Sequence, residues 1–323
     1  MRRRELLSLL GGAAITWLGA VPAQAIERHR RIAVLNWYAK GGEDIVPDFE
    51  PRLAELGLVP GRDFAIEYHY AEGDKRRVAK LADELVARHT DIIVAIATPA
   101  AHAAKRATGT IPIVFMVANP LSTGLVESLS RPGANLTGFS MVSSELSGKR
   151  VDFLQQVVPN LTSIGFLGST NDPNGPVFAG ETEAAGAKLG LKVHRVLVSG
   201  PDEFPGTFAT MVAARVGALI IQPLFVEHRT TLAALAMHHR LPTASDQRAF
   251  AEAGIMVAYG ASRKEIQRRL VHCVAEIVRG AMPADFPVEQ PTEFEIIVNL
   301  KTVNALGLTV PPGLLVGATE VIE

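Results

Sequence analysis

The chain of 323 residues carries a single cysteine, Cys273. One thiol cannot close an internal disulfide or complete a Cys-x-x-Cys metal site. It also rules out the facing pair of cysteines that two-lobed racemases use. Cys273 lies within the helical pattern 266–278, where a free Cys is expected in the core. An excess of charge is missing as well: 32 Lys and Arg stand against 33 Asp and Glu, a formal net charge of -1. Nucleic acid as a partner, which calls for a basic face, is therefore not expected. Several catalytic signatures are absent: the phosphate loop G-x-x-x-x-G-K-[ST], a G-x-G-x-x-G after the first strand, H-E-x-x-H and the G-x-S-x-G elbow. His238 and His239 are neighbours on a helical stretch and point apart, so no metal pair is expected there. No cofactor and no metal are expected. Past residue 25, no apolar run is long enough to span a bilayer.

The first 25 residues have their own logic. Arg2, Arg3 and Arg4 precede an apolar run over 6–21, and Ala23-Gln24-Ala25 follows. A basic start, a short apolar stretch and an A-x-A site make a cleaved export signal, with cleavage after Ala25. The paired arginines fit a twin-arginine signal, and Glu5 leaves the general route open. No cysteine near the site offers a lipid anchor. The processed chain is expected to be periplasmic and monomeric.

Beyond the signal, β-rich runs alternate with helical patterns. Strands are expected at 31–35, 64–68, 91–96 and 111–117, with helices at 48–56, 75–88, 98–106 and 121–130. The rhythm resumes with strands at 163–167, 192–198, 218–221, 241–244 and 255–258. Their helices are expected at 147–158, 178–189, 204–215, 226–239, 247–253 and 263–279. Such alternation means βαβ units and parallel sheets. With a break near 138–145, it predicts an α/β protein of two doubly wound lobes.

In open α/β sheets, ligands bind beyond the carboxyl ends of the strands. Those ends carry Trp37 and Tyr38, then Thr98 with Pro99, then Asn119. In the second half they carry Asn171 and Asn174 in a turn-rich run, then Gln222, Asp246 and Tyr259. Thr98 and Pro99 suit a helix start, whose free N–H groups can hold a carboxylate. Aromatic walls with a few amide, hydroxyl and carboxylate groups suit a small solute, aromatic or carboxylate-bearing.

Several long motifs then carry a resemblance. One runs from Asn119-Pro120 through Gly124-Leu125-Val126, Ser128-Leu129 and Arg131-Pro132-Gly133 to Asn135 and Thr137-Gly138. Another runs from Pro283-Ala284-Asp285 through Pro287-Val288-Glu289-Gln290-Pro291-Thr292 to Asn299 and Gly307-Leu308. With the ending Pro311-Pro312 to Glu323, the chain resembles the ABC transporter substrate-binding proteins of type I periplasmic-binding fold, in the group with tryptophan-binding members. The resemblance implies a solute-binding rather than catalytic role, a membrane permease as partner, and a three-segment hinge near 141–145, 257–260 and 287–291. It implies lobes of 26–142 plus 259–286 and of 143–258 plus 287–323. It also implies Thr98, Asn119, Asn171, Asn174 and Tyr259 at the cleft. Two positions depart: Asn119-Pro120 where relatives carry Asp-Pro, and Tyr259-Gly260-Ala261-Ser262 in place of Tyr-Gly-Pro-Asn. The first removes a carboxylate that could take an ammonium group. A secreted α/β enzyme or a sensory protein presenting its ligand are the alternatives.

Overall fold

The computed structural model describes residues 29–41, 49–133 and 135–323. The export signal expected over 1–25 lies outside them. The first half runs β1 (Arg30–Asn36), α1 (Phe49–Glu55), β2 (Phe64–Tyr70), α2 (Lys75–Ala87), β3 (Ile92–Ile96), α3 (Thr98–Ala107), β4 (Ile113–Val117) and β5 (Leu136–Ser140). Its sheet has the order β2-β1-β3-β4-β5, parallel throughout. This is a doubly wound arrangement with its switch point beside β1. Strands β3 and β4 are buried along their whole length, because helices cover both faces. α2 starts where the Asp74 side chain accepts from the N–H groups of Arg76 and Arg77 at 2.6 and 3.1 Å.

The second half continues with α4 (Ser147–Val157), β6 (Ser163–Ser169), α5 (Gly175–Lys188), β7 (Lys192–Val198), α6 (Phe204–Ala213), β8 (Ala218–Ile221), α7 (Arg229–His238), β9 (Thr243–Ser245), α8 (Arg248–Glu252) and β10 (Val257–Ala261). After α9 (Arg263–Val278) come β11 (Phe294–Asn299), α10 (Leu300–Ala305), α11 (Pro312–Val316) and β12 (Glu320–Ile322). The sheet order is β12-β11-β10-β9-β8-β6-β7. Strands β7-β6-β8-β9-β10 repeat the order of the first sheet; β11 adds an antiparallel strand on β10, and β12 pairs parallel to β11 at the edge.

Two expectations change. The helix expected at 121–130 is a run of turns. There the Asn119 side chain accepts from Ser122 N–H at 3.0 Å, Thr123 Oγ1 donates to Asn119 O, and Gly124 turns with φ 68°. Such local side-chain bonds compete with a helix. The break expected near 138–145 starts inside β5, whose Gly138 packs so closely that a Cβ there would meet Phe115 O at 2.1 Å.

Three segments pass between the sheets. The first is 141–144, where Val142 has φ 45°, a strained conformation for a β-branched residue. The second is residue 262, between β10 and α9. The stretch 257–260, expected as hinge, lies inside β10, because β11 pairs with it from Val257 through Ala261. Residues 259–261 thus belong with the second sheet. The third is 290–293: Val288 N–H donates to Leu129 O, and Glu289 bridges to Phe139 of the first sheet, so 287–289 stay with the first lobe. α9 packs on α1, β4 and β5. Cys273, on α9, is buried, and burial pushes its thiol up to about 12.

Candidate ligand-binding cleft

Where the carboxyl ends of the two sheets face each other there is a cavity of about 50 Å³. That is room for a few waters at roughly 10–15 Å³ each. Hydrogen bonds join the lobes beside it. Asn174 Nδ2 donates to Thr98 Oγ1 at 2.7 Å, and Ala39 N–H donates to Glu227 Oε1 at 2.6 Å.

From the first lobe, β1 ends on Asn36, whose Oδ1 accepts from Tyr38 N–H at 3.1 Å and turns the Tyr38 ring into the cavity wall. Burial raises the Tyr38 hydroxyl pKa. Arg263 works against this, while Asp246, Asp172 and Glu227 add to it, so the phenol stays neutral. β3 passes into α3 through Ala97, at φ 74°, a conformation L-residues rarely adopt. That sharp turn places Thr98, at the start of α3, in the wall. The alanines of α3 are buried, so the helix sits close to the sheet.

The second lobe brings carboxyl groups. Asp172, in the turn after β6, accepts from Asn174 N–H at 2.9 Å and from Gln222 Nε2 at 2.6 Å. Gln222 in turn accepts from Ser169 N–H at 2.7 Å. Gly175 allows this tight packing, since a Cβ would lie 2.3 Å from Ser169 O. Burial pushes the Asp172 carboxyl up to about 7, opposed by the bond from Asn174. Asp246 follows β9 and accepts from Ser143 Oγ at 2.6 Å, while its Oδ1 is buried with no partner. Burial raises its pKa, against the pull of Arg150, the Ser143 bond and Arg263. Gly260 lies against its backbone; a Cβ there would meet Asp246 O at 2.1 Å. Met116, Met141, Phe178 and Leu224 complete an apolar side.

Behind this wall, Arg150 is fully buried on α4. It donates to Ser143 O at 2.7 Å and to Tyr259 O at 2.9 Å, joining the first crossing to β10. At the third crossing, Glu265 accepts from Thr292 N–H, Thr292 Oγ1, Glu293 N–H and Arg269.

Of the residues expected from the sequence, Tyr38, Thr98 and Asp246 line the cavity. Asn174 and Gln222 stand one step behind, holding Thr98 and Asp172. Trp37 and Asn171 line a wider opening of about 570 Å³ at the rim between the lobes, where Asn171 Nδ2 donates to Ser199 O. Pro99 is buried in the first turn of α3, outside the wall. Asn119 is also outside it, and donates to Ser144 Oγ and Glu145 Oε1 at the first crossing. Tyr259 is placed elsewhere too: its ring packs edge-on against Phe153 at 5.4 Å and near Phe294. The reason is register. β10 runs on to Ala261, so Tyr259 is mid-strand rather than at the strand end. Asp172, in the turn-rich run after β6, was not among the expected residues, nor were Ser143, Phe178, Gln247 and Arg263, which also line the wall. Ending β10 at its paired end would have pointed to Arg263, two residues on. Among the described residues, no group of three or more His, Cys, Asp or Glu could hold a metal ion, and no helix is long and apolar enough to cross a membrane.

Comparison with known proteins adds the family. Residues 40–322 match the pattern of the ABC transporter substrate binding proteins. The chain belongs to this family. It is a family of substrate-binding proteins, not of enzymes, and the chain has its fold, the type I periplasmic-binding arrangement of two doubly wound lobes. It is 26% identical to a tyrosine-binding protein of Clostridioides difficile over 263 residues, 80% of this chain and 75% of the relative. A Streptococcus pneumonia ABC domain solved with L-Trp is 26% identical, with a TM-score of 0.83 over 91% of this chain and all of that one. The ligand-free, open structure of a substrate-binding protein with adhesive properties from Clostridium difficile is 24% identical. Its TM-score is 0.64 over 91% of this chain and 99% of that one.

Proposed function

We propose that this family member is the exported solute-binding component of an ABC importer. In this reading the lobes part to admit one small solute, widening the interlobe cavity beyond the few waters it has room for here, and hand it to a membrane permease. The observation that carries the proposal is the cavity itself. It is closed over by bonds between lobes, Asn174 to Thr98 and Ala39 to Glu227, and it combines an apolar side with buried polar groups at the strand ends. The lobes, 29–140 with 263–289 and 145–261 with 294–323, move about the three crossings as a hinge. The higher TM-score against the tryptophan-bound domain than against the open protein supports a drawn-together arrangement.

The solute is an α-amino acid with an apolar or aromatic side chain. The first turn of α3 faces its carboxylate, as a helix N-terminus favours an anion. Met116, Met141, Phe178 and Tyr38 surround its side chain. Names of the relatives, tyrosine-binding and tryptophan-bound, support the class. The chain works as a monomer, processed after Ala25.

A thermal-shift screen of the processed chain against amino acids, aromatic acids, nucleosides and sugars tests this. A solute that binds only the folded state raises stability by about 2.7 kcal/mol at a hundredfold excess over its Kd. An amino acid that shifts the melting point and is recovered unchanged supports the reading. A compound consumed in the assay points to catalysis instead. Mass spectrometry of the exported protein tests the start at Ile26.

A further inference from the structure

We propose that Asp172 makes closure selective: the lobes shut fully only around a solute that sets a positively charged group, such as a protonated amine, against this carboxylate. The proposal rests on reading the cavity as the solute site. Asp172 lines the cavity and is only 5% exposed. Both of its oxygens are met, but only by neutral donors, Asn174 N–H and Gln222 Nε2. None of the ion pairs among the described residues includes it. Asp246 differs. It takes the Ser143 hydroxyl, and Arg150 and Arg263 favour its charge.

The groups around Asp172 leave its charge uncompensated. The Tyr38 phenol at the end of β1 is neutral. Asn174 at the start of α5 and Gln222 after β8 are amides, and Thr98 of α3 is held by Asn174. Asp246 and, at the rim, Glu227 are carboxyls; Arg263 lies in the wall and acts on Asp246 and Tyr38. A buried carboxylate without a counter-charge is costly, and the group takes a proton instead. In the closed form this carboxyl is pushed up to about 7 by burial, opposed by the Asn174 bond. With the lobes apart it meets water and titrates near the ordinary ~3.9. Closing over an uncharged group therefore strands the charge or takes up a proton, whereas a solute ammonium satisfies it. Discrimination then comes from a penalty on the wrong solute. The unpartnered, buried Asp246 Oδ1 offers a second acceptor to the same donor.

Titration calorimetry with the processed chain tests this, using L-tyrosine and L-tryptophan beside 3-(4-hydroxyphenyl)propanoate and 3-(indol-3-yl)propanoate, their counterparts without the amine. The wild type should prefer the amino acids by about a hundredfold or more, since a site built for a donor rejects the analogue lacking it. In Asp172→Asn the preference should fall below about tenfold, mainly through tighter binding of the acids. A second arm needs no variant. With closed and open values of about 7 and ~3.9, the acids should bind the wild type roughly tenfold tighter at pH 6 than at pH 8, as a proton replaces the ammonium. The amino acids should show no such gain. A wild-type preference below tenfold, a preference unchanged in folded Asp172→Asn, or acids bound equally at both pH values overturns the inference. If the protein binds a solute without a cationic group in place of the amino acids, the inference falls and the solute-binding reading stands. If no solute of any class binds, that reading falls with it.

Discussion

At the cavity the first lobe presents Tyr38, Thr98 and Met116, side chains without charge, and one cation, Arg263 at the start of α9, while the second presents the carboxyls Asp172 and Asp246. Both sets stand at the carboxyl ends of parallel strands in the same order, 2-1-3-4-5. The shared topology places the residues; it does not choose their chemistry. The first lobe offers a helix start, a shape and the Arg263 cation, which acts on Asp246. The second offers buried carboxyls whose charge must be met. The lobes also differ in support. The second carries β11 and β12 beyond the common five strands, and the fully buried Arg150 beneath its wall. On the proposed reading, a solute site divided in this way is complete only when the lobes meet, which would couple recognition to closure.

Breaking the second lobe's support should have the largest effect. Arg150→Leu leaves Ser143 O and Tyr259 O without their donor in a buried place, and we expect a loss of about 3 kcal/mol in urea unfolding. A loss below 1 kcal/mol would mean that the removed desolvation of the guanidinium offsets those bonds. On the first lobe, Tyr38→Ala should act on binding more than on folding. It removes an aromatic wall, and calorimetry should read roughly thirtyfold weaker affinity for the solute found in the screen. The third test separates wall from scaffold within the second lobe. Tyr259→Ala should cost about 2 kcal/mol of stability through lost packing on Phe153 and Phe294, while solute affinity stays within about threefold. A large fall in affinity would return Tyr259 to the site.

The smallest effect is expected at the third crossing. Burial works to raise the Glu265 carboxyl, but hydrogen bonds from Thr292, Glu293 and Arg269 overcome it and hold the group below the usual carboxylate range. A depressed folded value contributes stability that is full above the unfolded ~4.3 and is lost as pH falls toward the folded value. Glu265→Gln should therefore cost about 1 kcal/mol near neutrality, by weakening charge-assisted bonds, and should flatten the acid side of the stability–pH curve. An unchanged acid limb in thermal melts between pH 3 and pH 7 would remove Glu265 from the crossing's energetics.

The alternation of buried strands with amphipathic helices was legible in the chain because parallel strands covered on both faces read as continuous apolar runs, as 92–96 and 113–117 do. The strand-end rule then located Tyr38, Thr98 and Asp246. It failed where a strand's true end depends on a distant partner. β10 extends to Ala261 because β11, more than thirty residues later, pairs with it, and this moves Tyr259 into the scaffold and brings Arg263 to the wall. It failed again in the turn 169–174, where local sequence cannot say which of Asn171, Asp172 and Asn174 turns inward. That choice is made by Gln222, brought from β8 to hold Asp172.

The sequence by itself determined the two repeated βαβ lobes, through local periodicity, and the family, through contiguous motifs; three crossings were only what that resemblance implied. Tertiary structure alone decided where each crossing bends, which carboxyl faces the cavity and which is left without a counter-charge. The physical reason is that burial and charge compensation belong to groups of residues far apart in the chain, and they exist only once the lobes are packed.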